Sequence, residues 1–192
     1  MKLSVLLTLL MTCVPISSLI AVEAPAEKTR HVPRVRAADS RIKAALAEGQ
    51  RRSASFRRVL QRVEELDVIV YAEMQPLLRN RLAGTTTWVT ATKDFRYVRV
   101  SLNPALSPWQ TVASLAHELH HVAEIGGAPS IVDTRSLTSY YQEFGIEKSV
   151  PSDQWETEAA KITGETVRRE LAVSASARGD GSSETASPTV RN

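Results

Sequence analysis

Residues 115–125 read LAHELHHVAEI and hold three of the four histidines in the chain. On a helix turning about 100° per residue, His117 and His121 fall within roughly 40° of each other. Val112, Leu115, Leu119, Val122 and Ala123 gather on the opposite side. The segment is therefore a helix with one face for packing and another that carries imidazoles. That second face is written H-E-x-x-H, in which two histidines one turn apart can converge on a single ion. Zinc suits such a pair, because it takes nitrogen donors about 2 Å away in tetrahedral geometry. Glu118 lies to the side of the pair, where it can take a proton from water rather than bind the ion. His120 points away from both and reads as a surface or supporting residue. A solvated helix face rich in histidine is the competing reading, and the surroundings weigh against it.

Working outward, Ser107 and Pro108 open this helix as cap and first turn, and Gly126 and Gly127 close it. Upstream, residues 36–48 and 53–66 have helical spacing, the second with Phe56, Val59, Leu60 and Val63 on one stripe. DVIVYAEM, from Asp67, is a β-branched run bounded by Pro76 and predicts a buried strand. TTTWVTAT and FRYVRVSL flank Lys93 and Asp94 and predict a hairpin, with Val98 and Val100 facing one way and Phe95 and Tyr97 the other. Downstream, 133–144 predicts a helix with Leu137, Tyr140, Tyr141 and Phe144 on its stripe, and 152–171 predicts another. The expected class is α+β: a short mixed or antiparallel sheet, with the histidine helix followed by two further helices.

The chain has 192 residues with a formal net charge of +3, which is one domain's length. Basic and acidic residues interleave except in an Arg-rich stretch over 30–58, so nucleic acid is not an expected partner. Residues 1–21 have the grammar of a cleavable signal peptide: Lys2, an apolar run too short to span a bilayer, then small residues. The expectation is a secreted or periplasmic protein with no membrane span in the mature chain. The one cysteine, Cys13, lies in the leader, so the mature protein would contain no thiol. Residues 22–35 read as a linker, 36–173 as the metal-binding domain and 174–192 as a disordered tail. Oligomeric state is not encoded in any pattern here.

The fourth histidine is His31, in the linker, so the third ligand should be a carboxylate. Glu124, Asp133, Glu143, Glu147, Asp153, Glu156 and Glu158 are the candidates downstream. Glu124, one turn beyond His121 on the same helix, can bond a ligand histidine but hardly reach the same ion. In WETEAAKITGETVRREL, read as helix, Glu156 falls in the middle of the apolar arc. A carboxylate there is unfavourable by several kcal/mol unless it is paired with a cation or bound to a metal. Glu158 falls among Lys161, Glu165, Arg168 and Arg169 and is the second choice.

HELHH followed by a helix carrying Glu156 resembles the gluzincin class of zinc metallopeptidases, in particular small single-domain members, over roughly residues 67–171. The DVIVY strand, the RYVRVSL strand, HELHH and the WETEAA helix are also similar to those of certain exported bacterial proteins. The resemblance implies Zn2+ held by His117, His121 and Glu156, with Glu118 as general base and proton shuttle. It also implies a residue that steadies the oxyanion; with no histidine to spare, Tyr140 or Tyr141 would serve. In zincins an edge strand beside the active-site helix pairs with extended substrate, and FRYVRVSL is the segment expected to do so. The function expected is an exported zinc-dependent hydrolase acting on a peptide or protein substrate. The alternative is a non-catalytic zinc-binding envelope or interaction protein on the same fold.

Overall fold

The computed structural model describes residues 32–76, 82–144, 146–147 and 155–179. The expected leader and residues 22–31 of the expected linker lie outside these. The elements are β1 (Val35–Ala37), α1 (Ser40–Arg52), α2 (Ala54–Glu64), β2 (Val68–Met74), β3 (Gly84–Ala91), β4 (Arg96–Leu102), α3 (Pro108–Gly127), α4 (Thr134–Phe144), β5 (Ile146–Glu147), β6 (Trp155–Glu156) and α5 (Glu158–Gly179). The α+β class is borne out, with a small mixed sheet.

The order of the main sheet is β1-β2-β4-β3. β1 and β2 are parallel, with Val35 opposite Val70, and α1 and α2 make the connection between them. β2 and β4 are also parallel, with Val70 opposite Val98. β3 folds back antiparallel on β4, so the expected hairpin exists, with a bulge at Val89 between the Trp88 and Thr90 pairs. FRYVRVSL is not the edge. β4 is flanked on both sides, and its buried Val98, Val100 and Leu102 are the residues of a central strand. β3 holds the edge instead.

Alternation fixes which sheet face packs. Val68, Val70, Ala72, Val98, Val100 and Leu102 are fully buried against the helices, whereas Arg36, Tyr71 and Arg99 stand exposed on the other face. The core also takes Phe56 and Val63 from α2 and Leu115, Leu119 and Val122 from α3. Each such fully buried side chain contributes about 1.5–3 kcal/mol. Caps set the helix boundaries. Asp39 accepts from the Ile42 amide at 3.0 Å and, with its other oxygen, from the Met74 amide at 2.9 Å, tying the start of α1 to the end of β2. Ser107 and Gln110 form a full capping box at the start of α3. At its other end the Arg96 guanidinium donates to the carbonyls of Gly126, at 3.1 Å, and Ile131, at 2.9 Å.

Several boundaries differ from the sequence expectation: residues 36 and 37, read as the start of a helix, are strand, and α1 begins at Ser40. Val35, read as linker, pairs in β1 and is buried, since its amide register continues that of β2. Residues 174–179, read as tail, continue α5, and the start of this stretch is tied to α1 by Arg52, whose Nε donates to the Ser174 hydroxyl at 2.8 Å. Among the described residues no helix is long and apolar enough to cross a membrane.

Candidate metal centre

α3 is the spine of the site. Its apolar side is locked in the core through Leu115, Leu119 and Val122, all fully buried, which turns His117 and His121 toward α5 and the turn before it. α5 approaches closely at Gly164, where a Cβ would lie 3.2 Å from His117 Cβ and 3.3 Å from the Ala113 carbonyl. No larger residue fits that crossing without moving the first histidine.

His117, His121 and Glu156 come together, each offering one donor atom within 4.8 Å of the others. His117 Nε2 lies 3.2 Å and His121 Nε2 3.3 Å from Glu156 Oε1. Those separations match the edge of a tetrahedron with metal–ligand bonds of about 2.1 Å, which is roughly 3.4 Å. Two imidazole nitrogens and one carboxylate oxygen are also the donor set zinc favours in a catalytic centre. Donor chemistry and spacing both fit a zinc ion.

Glu156 reaches this position by a different route from the one its sequence predicts. It is not on the last helix but in β6, the two-residue strand before it, and Thr157 is the cap, accepting from the Ala160 amide at 3.2 Å. The apolar arc places Trp155 and Glu156 within a helix over 152–171, whereas the helix starts at Glu158. Glu156 is nevertheless 3% exposed, because the β5–β6 pair folds it inward beneath α3. Glu158 is 66% exposed on its side chain and pairs with Lys161, away from the histidines. Asp133 caps α4 by accepting from the Ser136 amide, Glu143 is exposed, and Asp153 lies outside the described residues.

Glu124 contributes what sequence could only half foresee. Its Oε2 accepts from His121 Nδ1 at 2.8 Å and from the Tyr141 hydroxyl at 3.1 Å; its Oε1 accepts from the Thr157 hydroxyl at 2.7 Å. With Nδ1 bonded to Glu124, the ring presents Nε2 to Glu156 and the centre, and the neutral ring has its lone pair there. Burial holds the His121 imidazolium down, but the carboxylates of Glu124 and Glu156 outweigh it and raise its pKa to about 9. Glu124 itself is lowered: burial pushes its carboxyl up, and the bonds from His121 and Thr157 more than offset that.

Tyr141 is buried, with its hydroxyl on Glu124 and 3.3 Å from His121 Nδ1, the nitrogen facing away from the centre. Burial and the neighbouring Glu124 keep the phenol protonated far above its usual range. Tyr140 stacks edge-on against Tyr141 and tilts against Phe144, with its pKa raised for the same two reasons. His120 turns to Thr163 on α5, Nδ1 to Oγ1 at 2.9 Å.

Glu118 is 5% exposed and accepts from the Thr86 hydroxyl at 2.9 Å. Burial raises its pKa, against the opposing pull of His117 and His121. Gly84 on β3 leaves room for it: a Cβ there would lie 2.8 Å from Glu118 Oε1. Neither Thr86 nor Gly84 carries a sequence signal, since only the strand register brings them across α3. His117 and Glu118 form the ridge between two recesses of one cleft. The larger, about 510 Å³, is bordered by Thr86, Trp88, Leu137, Thr138, Tyr141 and Trp155. The smaller, about 190 Å³, is bordered by Ser114, Lys161 and Arg168.

Set against known proteins, the chain matches no family model, no curated protein and no solved structure.

Proposed function

We propose that this chain is an exported zinc-dependent hydrolase, a metallopeptidase on a zincin-like fold, in which His117, His121 and Glu156 hold the metal and Glu118 is the general base. The observation that carries it is the convergence of two Nε2 atoms and one carboxylate oxygen beside a buried, separately anchored glutamate that borders the same cleft. A zinc ion so held supplies Lewis acidity, acidifying water and polarising a carbonyl.

Glu118 does the proton work. Its carboxylate, steadied by the Thr86 hydroxyl, takes a proton from water at one oxygen and later returns it to the leaving amine. A purely structural zinc site has no need of that residue. A peptide substrate is supported by β3, an edge strand whose residues 84–88 border the larger recess. Its outward backbone groups can extend the sheet onto an extended chain.

Metal analysis of the purified mature protein tests the site, and hydrolysis of unstructured peptides tests the chemistry. Wild type should carry one zinc ion and Glu156→Ala should lose it. Glu118→Gln should keep zinc while turnover falls roughly 10²- to 10⁴-fold, the range for a lost general base. Absence of zinc from wild type, or unchanged binding by Glu156→Ala, would remove the metal centre. Zinc binding with no turnover that depends on Glu118 would leave a non-catalytic zinc protein.

A further inference from the structure

The third ligand comes from a segment with little local means of holding a position. Among the described residues β6 is two residues long and pairs with the equally short β5, well under the usual strand length. Yet Glu156 Oε1 sits 3.2 and 3.3 Å from two nitrogens on α3. One side-chain bond joins the turn at 156–157 directly to that helix. The Thr157 hydroxyl makes it, donating to Glu124 Oε1 at 2.7 Å across 33 residues of chain. The same hydroxyl accepts from the Ala160 amide, and the Thr157 amide donates to Glu156 Oε1 at 3.1 Å. One residue therefore caps α5, tethers the turn to α3 and bonds the ligand carboxylate. Glu124 meanwhile bonds His121 through its other oxygen at 2.8 Å.

We propose that Glu124 and Thr157 form a clamp that sets the second and third ligands as one unit: the carboxylate that orients His121 also fixes the turn that delivers Glu156. The inference rests on the zinc reading above and adds a positioning role for two residues that do not touch the metal. The chemistry is specific. A hydroxyl has one proton to give and lone pairs to receive, so Thr157 can serve Glu124 and the Ala160 amide at once. Serine can do both, and valine, of nearly the same shape, can do neither. Partners of this kind typically change metal affinity roughly 10- to 100-fold.

The test is zinc affinity of the full mature chain, measured by competition with a chromophoric chelator, alongside thermal unfolding of the chelator-treated protein. Thr157→Val should weaken zinc binding at least tenfold, and Thr157→Ser should restore it to within about threefold of wild type. In a Glu124→Ala background, Thr157→Val should weaken binding no further, because the clamp is already open. If Thr157→Val lowers the unfolding temperature but leaves zinc affinity unchanged, Thr157 is a helix cap alone and the clamp is refuted. Additive losses in the double variant refute it equally. Should Glu124→Ala not fold, the valine and serine variants decide. A wild type that binds no zinc overturns the metal reading itself, an outcome distinct from wild-type binding that Thr157→Val leaves intact.

Discussion

Gly84→Ala probes the joint between the sheet edge and Glu118, the proposed general base. The added methyl would lie 2.7 Å from Leu102 Cδ2 and 2.8 Å from Glu118 Oε1, about 1 Å inside normal carbon–carbon contact with the first and about 0.5 Å inside carbon–oxygen contact with the second. Leu102 is fully buried and directly opposite Gly84 in the ladder, so it has nowhere to go. Glu118 has the freer end and must move, breaking its bond from Thr86. Overpacking of this kind is destabilising by about 1–3 kcal/mol. At roughly 2–4 °C per kcal/mol for a chain of this size, unfolding should occur about 2–12 °C lower. Displacing a proton-transfer group by about 0.5–1 Å should lower turnover by up to roughly 10²-fold. The atoms nearest the methyl belong to Leu102 and Glu118 rather than to His117, His121 or Glu156, so zinc should be retained. Differential scanning fluorimetry, metal analysis and peptide hydrolysis read the three quantities separately. Wild-type unfolding together with wild-type turnover would show that β3 and α3 do not meet as described; loss of zinc would show that Gly84 belongs to the ligand shell.

Thr86→Val removes the hydroxyl that bonds Glu118 without changing the shape of the strand, so turnover should fall by the equivalent of about 1.5–3 kcal/mol while zinc content holds. A steady-state assay that finds full activity would dismiss the bond. His121, raised to about 9 in the metal-free protein against 6.5 unfolded, is charged in the folded state across that interval. Its stabilising contribution is therefore complete below about pH 6.5 and lost as pH rises toward 9. Zinc must expel that proton, so affinity should climb by up to about tenfold per pH unit between 6.5 and 9 and then level off. Calorimetry in buffers of different ionisation enthalpy should count close to one proton released from His121 at neutral pH. Glu170 on α5 accepts from the Ser53 hydroxyl at 2.5 Å and from the Ser55 amide and hydroxyl at 3.1 and 2.8 Å. Its alanine variant, which leaves the buried Ser53 without that acceptor, should lose about 1–3 kcal/mol in urea unfolding. Burial pushes the Glu170 carboxyl up and the serine bonds bring it below the usual range. Its contribution should hold above about pH 4.5 and fade below, so the difference between wild type and variant should shrink in acid.

The local elements of this protein were legible because each answers to a period, a cap or a turn. The two faces of α3 follow from placing apolar and imidazole side chains at 3.6 residues per turn, and Ser107 and Pro108 mark its start. The Phe56–Val63 stripe and the β3–β4 hairpin follow from the same arithmetic. Strand order does not. Nothing within FRYVRVSL distinguishes a central from an edge strand; β4 becomes central because β2 pairs with it in parallel from a distance in sequence. The site divides along the same line. His117, Glu118 and His121 share one helix, so their spacing alone sets their relation. Glu156 was reachable only through its chemistry, as a carboxylate in apolar surroundings; its place in β6 rather than α5 depends on where Thr157 starts the helix. Thr86, Gly84 and the Glu124–Thr157 bond could not be read at all, since each is a meeting of segments separated in the chain. Sequence determined which residues could bind a metal and move a proton, because those are properties of side chains and of one helical turn. Tertiary packing decided which carboxylate joins them and what holds it there, because only the folded chain puts α3, β3 and the turn before α5 within bonding distance.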